Sequence, residues 1–378
     1  VDMSDTTLPR AATRPAADAR GGRLHGMDLL RVVASCLVVY THVHAWFVIR
    51  GRDWWFTDLV ESNIVGTFHL NSRLSFVGVA IFLVISGVVV TYVTDRESPV
   101  QFVVRRIVRL APLLWVVTFL AWVAINLGQR VSGAEDPALG VGDLLLGTVL
   151  GNFFTTPQIG LVGVTWTLLI QVGFYCYVAA AIPLLRRQPW IPPLVAATGC
   201  FIGLLLITGT RSAALLQVGK VVAYLPILCM GQLISLTHTR RVRPAAGIAI
   251  GLVHAALFTW ADTLGSYTSQ GDAMPRTVLL VVLVTVVMIR SSGRISRAAL
   301  VGAWSKRTYA IYLAHLGCIF VVMDHLVPIV GSDVSVLVAV VAVAAVAELL
   351  HRLVEMPAVR WVRRRQQRDR TTRTSGDA

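Results

Sequence analysis

Apolar stretches of about twenty residues recur along the whole chain, each long enough to cross roughly 30 Å of hydrocarbon as a helix. Ten can be drawn, at 27–49, 74–94, 110–128, 165–185, 191–209, 213–237, 245–261, 276–290, 308–329 and 334–355. A bilayer offers no water to bond exposed backbone amides, so a chain of this pattern is expected to fold as an all-α, polytopic membrane helical bundle. Composition agrees: 14% of the 378 residues are charged, against about a quarter in soluble domains, and the mean hydropathy is +0.69. The stretch 143–163 is also apolar, but Gly151, Asn152, Pro157, Gly160 and Gly163 interrupt it, which predicts a re-entrant or interfacial piece. Residues 1–26 are polar and rich in Ala, Pro and Arg, with no apolar core of a signal peptide; they read as a disordered cytosolic tail. The membrane domain is expected over 27–357, and 358–378 form a basic cytosolic tail.

The formal charge of +14 would suggest nucleic acid in a soluble protein, but its distribution has a topological cause. With the N-terminus inside, the inner segments hold twenty-seven Lys and Arg and the outer segments six, while the outer segments also carry ten acids. That asymmetry places both termini in the cytosol of a bacterial cytoplasmic membrane and removes any need for a nucleic-acid partner. The five cysteines all fall inside apolar runs at unrelated spacings, which excludes a disulfide framework and a zinc ribbon.

Ionisable groups at membrane depth are costly and point to function. In the first span, at about 100° per residue, His42 lies within about 20° of Arg31 and about 40° of Asp28, so the three share one stripe. His42 stands about 16 Å beyond Arg31 along the helix axis. A snorkelling Arg31 and a helix-bridging His42 are the structural alternatives. His44 makes no metal pair with His42, because two helical steps separate them by about 200°, and no metal is expected. Arg106 and Arg109 are helical neighbours whose guanidinium forks suit phosphates or anionic lipid. Ser86 and Gly87 close the run GVAIFLVISG and permit close approach of a thin ligand or another helix. In the fourth span Trp166 marks an interface, and Gln171 and Tyr175 share a face. In the ninth, Tyr309, Tyr312 and His315 follow at three-residue steps and form a second polar stripe. Glu355 and Pro357 sit where the last helix is expected to leave the inner face.

Taken in order, Gly26-x-Asp28, Arg31 with ten residues before His42, GVAIFLVISG, Arg106-Ile-Val-Arg109, Trp166-Thr-Leu-x-x-Gln171-x-x-Phe174-Tyr175, Tyr309-x-x-Tyr312-Leu-x-His315 and Glu355-Met-Pro357 resemble the signature of the acyltransferase-3 family of integral-membrane acyltransferases. The resemblance runs from about residue 22 to 360 and rests on order and spacing together. It implies a ten-helix bundle that passes a short acyl group, often acetyl or succinyl, from cytosolic acyl-CoA to a hydroxyl of a sugar, glycolipid or polyketide. It implies further that His42 is the catalytic base, and that Arg106 and Arg109 handle the acyl-CoA co-substrate. One position departs: where the family pattern usually carries Ser and a Glu, this chain has Thr167 and Gln171, and an amide cannot take a proton.

These roles can be arranged physically. Acyl transfer to a hydroxyl needs a base working near neutrality, for which His42 is the first choice and His315 the second. Asp28, three residues from Arg31, is expected to pair with it at the cytosolic mouth. The donor phosphates would meet Arg106 and Arg109, with the thin pantetheine arm passing Ser86 and Gly87. Gln171, Tyr175, Trp166, Tyr309, Tyr312 and His315 are the expected acceptor-side contacts. A transporter using the same buried Arg, His and Tyr as a substrate or proton pathway is the competing class. For the topology, single cysteines introduced as Asp18→Cys and Arg363→Cys should react with a membrane-impermeant maleimide only after the inner face is exposed. Labelling of either in intact cells would overturn the orientation.

Overall fold

The computed structural model describes residues 24–132, 138–155, 158–210, 212–265, 272–362 and 364; Asp18, Arg363 and most of the two expected tails lie outside the described residues. Fourteen α-helices follow: α1 (His25–Ile49), α2 (Trp55–Val60), α3 (Gly66–Phe68), α4 (Val77–Tyr92), α5 (Pro99–Asn126), α6 (Val141–Thr148), α7 (Trp166–Arg187), α8 (Ile191–Ile207), α9 (Ala213–His238), α10 (Pro244–Thr263), α11 (Met274–Met288), α12 (Ala299–Ser305), α13 (Thr308–Val330) and α14 (Ser332–Leu350). Among the described residues there is no strand. The helices α1, α5, α7, α9, α10, α13 and α14 are long and apolar enough to cross a membrane. The shorter apolar helices α4, α8 and α11 occupy the other three expected positions. The interrupted stretch folds as α6 and short 3₁₀ turns at Gly151–Phe154 and Gly163–Thr165.

Two boundaries differ from expectation for local reasons. The helix of the third expected span, α5, begins at Pro99, eleven residues before the apolar run, because Ser98 and Gln101 form a reciprocal capping box and Pro99 takes the first helical position. Arg105, Arg106 and Arg109 therefore stand on the opening turns of α5. At the other end, Glu355 and Pro357 do not end the last helix. A π turn at His351–Glu355 widens the backbone, which relieves the clash of the Pro357 ring with the preceding turn, and helix continues to residue 362.

The side chains gather into two main cores. One joins the first half of α1 to α4, α9, α10, α11 and much of α7. The other joins the last half of α1 to α5, α13 and α14. Trp166 and Tyr175 pack against both, so α7 bridges the seam.

The crossing of α4 and α9 sets the first core. A Cβ added at Gly87 would fall 2.0 Å from the Leu228 carbonyl oxygen, and one at Gly231 would fall 2.1 Å from that of Val84. Reciprocal glycines let the two backbones touch, which in a bilayer supplies packing that lipid cannot. Gly87→Leu or Gly231→Leu should destabilise by more than the usual ~1–3 kcal/mol of overpacking, because backbone cannot step aside. Gly199→Leu, with open space around it, should be tolerated. Unfolding midpoints of the three variants in one detergent check this.

Candidate functional site

The seam between the cores holds a cleft with about 910 Å³ of empty space, walled by α1, α4, α5, α7 and α13. One end is cationic: Arg31 from α1 with Arg106 and Arg109 from α5. Arg31 is oriented by Asp28 at 3.4 Å, and Asp28 accepts from Ser305 Oγ at 2.6 Å. The expected Asp28–Arg31 pair is thus present, but Asp28 itself is buried outside the cleft lining.

Arg106 has the most built surroundings. Its side chain is 11% exposed, Glu97 Oε2 accepts from Nη2 at 3.4 Å, and the guanidinium sits over the rings of Phe102 at 4.9 Å and Tyr175 at 5.9 Å. Its Nε is buried without a protein acceptor. A buried N–H left unpaired costs about 1–3 kcal/mol, so this donor beside the cleft is set for an oxygen supplied by a ligand or water. Arg109, almost one turn further along, is exposed at the cleft.

Midway, Gln171 Nε2 donates to Ser86 Oγ at 3.1 Å and to Tyr175 OH at 2.5 Å, tying α7 to α4. Tyr309 OH donates to the Leu110 carbonyl at 2.9 Å. Toward the far end, Tyr312 OH donates to the Val164 carbonyl at 2.8 Å and lies 2.5 Å from Thr167 Oγ1. The Tyr312 ring meets Phe82 at 5.7 Å and His315 at 5.8 Å.

Beyond it stand the two histidines that the sequence offered as alternatives, and the fold pairs them. Their ring centroids are 4.7 Å apart in an edge-to-face arrangement. His315 is fully buried and its Nδ1–H donates to the Ile311 carbonyl at 3.0 Å, leaving Nε2 as an acceptor. His42 Nδ1 lies 2.8 Å from the Val38 carbonyl and 3.2 Å from His315 Nε2. Both neighbours are acceptors, so His42 Nδ1 carries the hydrogen and the lone pair of His42 is on Nε2. The Val38 carbonyl thereby fixes the tautomer of His42, and His315 packs against its ring.

The helices bearing this pair are tied at both ends. Ser305, just before α13, bonds Asp28 of α1; past the histidines, Arg50, the residue that caps α1, makes a bidentate pair with Asp324 of α13 at 2.6 and 2.9 Å. Trp46 Nε1 donates to the same carboxylate at 2.8 Å.

Several expected contacts lie outside the cleft lining: His42 and His315, and also Gly87 and Trp166. Gly87 faces α9, since the Leu228 carbonyl occupies the space beside it, so of Ser86 and Gly87 only Ser86 lines the cleft. Trp166 packs on Tyr224 at 5.3 Å and lies outside the lining. Sequence reasoning missed Glu97, which bonds Arg105 at 2.7 Å as well as Arg106, and Ser305. An acid eight residues before Arg105 was a signal for Glu97; Ser305 had none. His44 Nδ1 bonds Thr57 Oγ1 at 2.8 Å. No group of three or more His, Cys, Asp or Glu able to hold a metal occurs among the described residues.

A membrane-scale helical bundle with an internal cleft lined by three arginines, whose Tyr312 packs on one of two paired imidazoles outside the lining, is the class that this geometry defines. Residues 24–350 match the family described as an acyltransferase domain, acyltransferase-3, and the chain belongs to that family as a multi-pass membrane protein. It is 28% identical over 320 residues to the exopolysaccharide production protein ExoZ of Rhizobium meliloti (strain 1021), covering 76% of this chain and 91% of that protein. It is 27% identical over 197 residues to nodulation protein 10 of Rhizobium leguminosarum bv. viciae, covering 48% of this chain and 51% of the other. No solved structure matches it.

Gln171 donates only to hydroxyls, which can reverse and donate to a carboxylate instead. Gln171→Glu should therefore fold and add a new ionisation to the pH–rate profile, because the position lines the cleft. An unchanged profile and rate would confine Gln171 to helix packing.

Proposed function

We propose that this acyltransferase moves a short acyl group, acetyl or succinyl, from cytosolic acyl-CoA to a hydroxyl of a cell-envelope saccharide, with His42 as general base. Acyl-CoA is a co-substrate and no cofactor is held permanently. The observation that supports this reading is that one cleft carries phosphate-compatible guanidiniums in its lining together with Tyr312, whose ring packs on His315, the partner of His42. The inner-face arginine excess supports placing the Arg end at the cytosol of a bacterial cytoplasmic membrane, where CoA is found. The names of the two relatives, concerned with exopolysaccharide production and nodulation, support a carbohydrate acceptor.

The donor's phosphates would engage Arg106, Arg109 and Arg31, with a phosphate oxygen meeting Arg106 Nε. The pantetheine arm would pass Ser86, Gln171 and Tyr309 and bring the thioester toward Tyr312. His42 Nε2 removes the proton from the acceptor hydroxyl as its oxygen adds to the thioester carbonyl. Collapse of the tetrahedral intermediate breaks the C–S bond, and the departing thiolate takes the proton back from His42, leaving ester and CoA thiol. The arrangement fits this cycle, since the Val38 carbonyl at 2.8 Å from His42 Nδ1, with His315 Nε2 beside it at 3.2 Å, would steady the imidazolium. His315 is a positioning residue in this scheme.

The test is release of CoA thiol from acyl-CoA by purified protein, supplied with acceptor, together with CoA binding by calorimetry. His42→Ala should lower turnover by about 10²–10⁴-fold with CoA affinity kept. The Arg106→Ala/Arg109→Ala double variant should weaken CoA binding. Solute passage with no thiol release would make the protein a transporter, and normal transfer by His42→Ala alongside an inactive His315→Ala would move the base to His315.

A further inference from the structure

Arg106 is tethered by Glu97, and Glu97 does not stand on a helix. It lies in the connection between α4 and α5, residues 93–98, on the side that the charge asymmetry puts inside. Its side chain is 7% exposed, and its carboxylate takes Arg105 at 2.7 Å and Arg106 at 3.4 Å. Helical period cannot place such a residue; the path of the connection has to. Within the connection, the Thr94 amide donates to the Thr91 carbonyl at 3.1 Å and the Arg96 amide to the Val93 carbonyl at 3.0 Å. The Ser98 amide donates to Gln101 Oε1 at 3.3 Å. Those bonds are local and do not decide where the connection sits in the bundle.

Two arginines from remote elements do. Arg186, in the last turn of α7, donates from Nε and Nη2 to the Thr94 carbonyl at 3.1 and 2.8 Å, and from Nη2 to the Glu97 carbonyl at 2.6 Å. One guanidinium thus spans both ends of the turn that presents Glu97, a reach that the point charge of a lysine does not copy. Arg241, beyond the end of α9, pairs with Asp95 at 2.9 Å and donates to the Leu185 carbonyl, next to Arg186. The end of α7 and the connection are therefore braced against each other twice.

A cation in the last turn of a helix has a simpler use, at the negative end of the helix dipole. Arg187 shares that position, yet it makes no hydrogen bond or ion pair among the described residues. Only Arg186 of the two spends its donors on the connection. Through the Glu97 backbone it is linked to the carboxylate that gathers Arg105 and Arg106, and so to the cationic lining of the cleft.

We propose that Arg186 is a positioning residue for donor binding, which clamps the carbonyls of Thr94 and Glu97 so that the Glu97 carboxylate holds Arg106 in place for a phosphate. The proposal rests on the reading of Arg106 as a contact for acyl-CoA. In purified protein, Arg186→Ala should raise the Kd for CoA and the KM for acyl-CoA roughly three- to tenfold, in the range of coupling within bonded networks, with kcat unchanged. Arg187→Ala removes an equal but exposed and screened charge, and should leave both constants within about twofold. Arg186→Lys should recover part of the loss. In a Glu97→Gln background, where the route through the carboxylate is already cut, Arg186→Ala should have a much smaller effect; an undiminished one would overturn the proposal. Hydrogen exchange without ligand gives a readout independent of CoA: Arg186→Ala should speed exchange of the Thr94, Arg96 and Ser98 amides, and Arg187→Ala should not. Faster exchange throughout the chain would mark a folding defect, and Arg186→Lys then carries the same comparison. Unchanged exchange at those amides, or unchanged CoA affinity in Arg186→Ala while Arg106→Ala/Arg109→Ala weakens it, would overturn this inference alone. CoA affinity unmoved even by Arg106→Ala/Arg109→Ala would overturn the donor-site reading and this inference with it.

Discussion

In hydrocarbon a polar side chain has no water to fall back on, so each one buried in the bundle must find a partner in the protein. This chain meets much of that demand along one seam. Most of its volume is two apolar cores; several polar groups line the contact between them, while others, such as Tyr177 with Gln232 and His254 with the Pro193 carbonyl, pair elsewhere. Gln171 reaches Ser86 and Tyr175, Tyr309 reaches a carbonyl of α5, and Tyr312 reaches Val164. The cleft is what remains where two well-packed halves meet across polar side chains.

The seam is kept rigid from outside itself. The glycine crossing of α4 and α9 fixes one wall, and the ties between α1 and the α12–α13 region, Ser305 to Asp28 and Arg50 to Asp324, fix the other. His42 and His315 stand between those two ties, so neither imidazole depends on a loop for its position. Asp28, on the same stripe as His42, serves the pair at a distance by orienting Arg31 and holding the start of α1. Glu97 plays a comparable part at the Arg end, where it draws Arg105 and Arg106 toward one another despite their like charge.

The departures from expectation are equally physical. Gly87 and Ser86 are adjacent in sequence but turn about 100° apart on a helix, so one meets α9 and the other the cleft. Hydropathy placed the start of α5 at its apolar run, whereas capping chemistry at Ser98 and Gln101 carried it back across three arginines. Pro357 reads as a helix end in sequence, and only the widened π turn before it explains why the helix passes through.

Hydrophobic length and period determined the helical bundle and the places of its long helices, because burying backbone in lipid leaves no other fold open to ten apolar runs. Charge and helical phase picked out Arg31, His42, the Arg106/Arg109 pair and the Tyr309–Tyr312–His315 stripe, since residues at helical spacing share a face whatever the tertiary arrangement. The tertiary structure alone decided which faces meet. His42 and His315 are 273 positions apart, and no periodicity within α1 or α13 could tell partners from alternatives. Nor could it show that Ser86 opens to the cleft while Gly87 is sealed by α9, or that Glu97 holds Arg106. Those outcomes are set by side-chain contact between helices remote in sequence, a long-range constraint that helical period, a local property, does not contain.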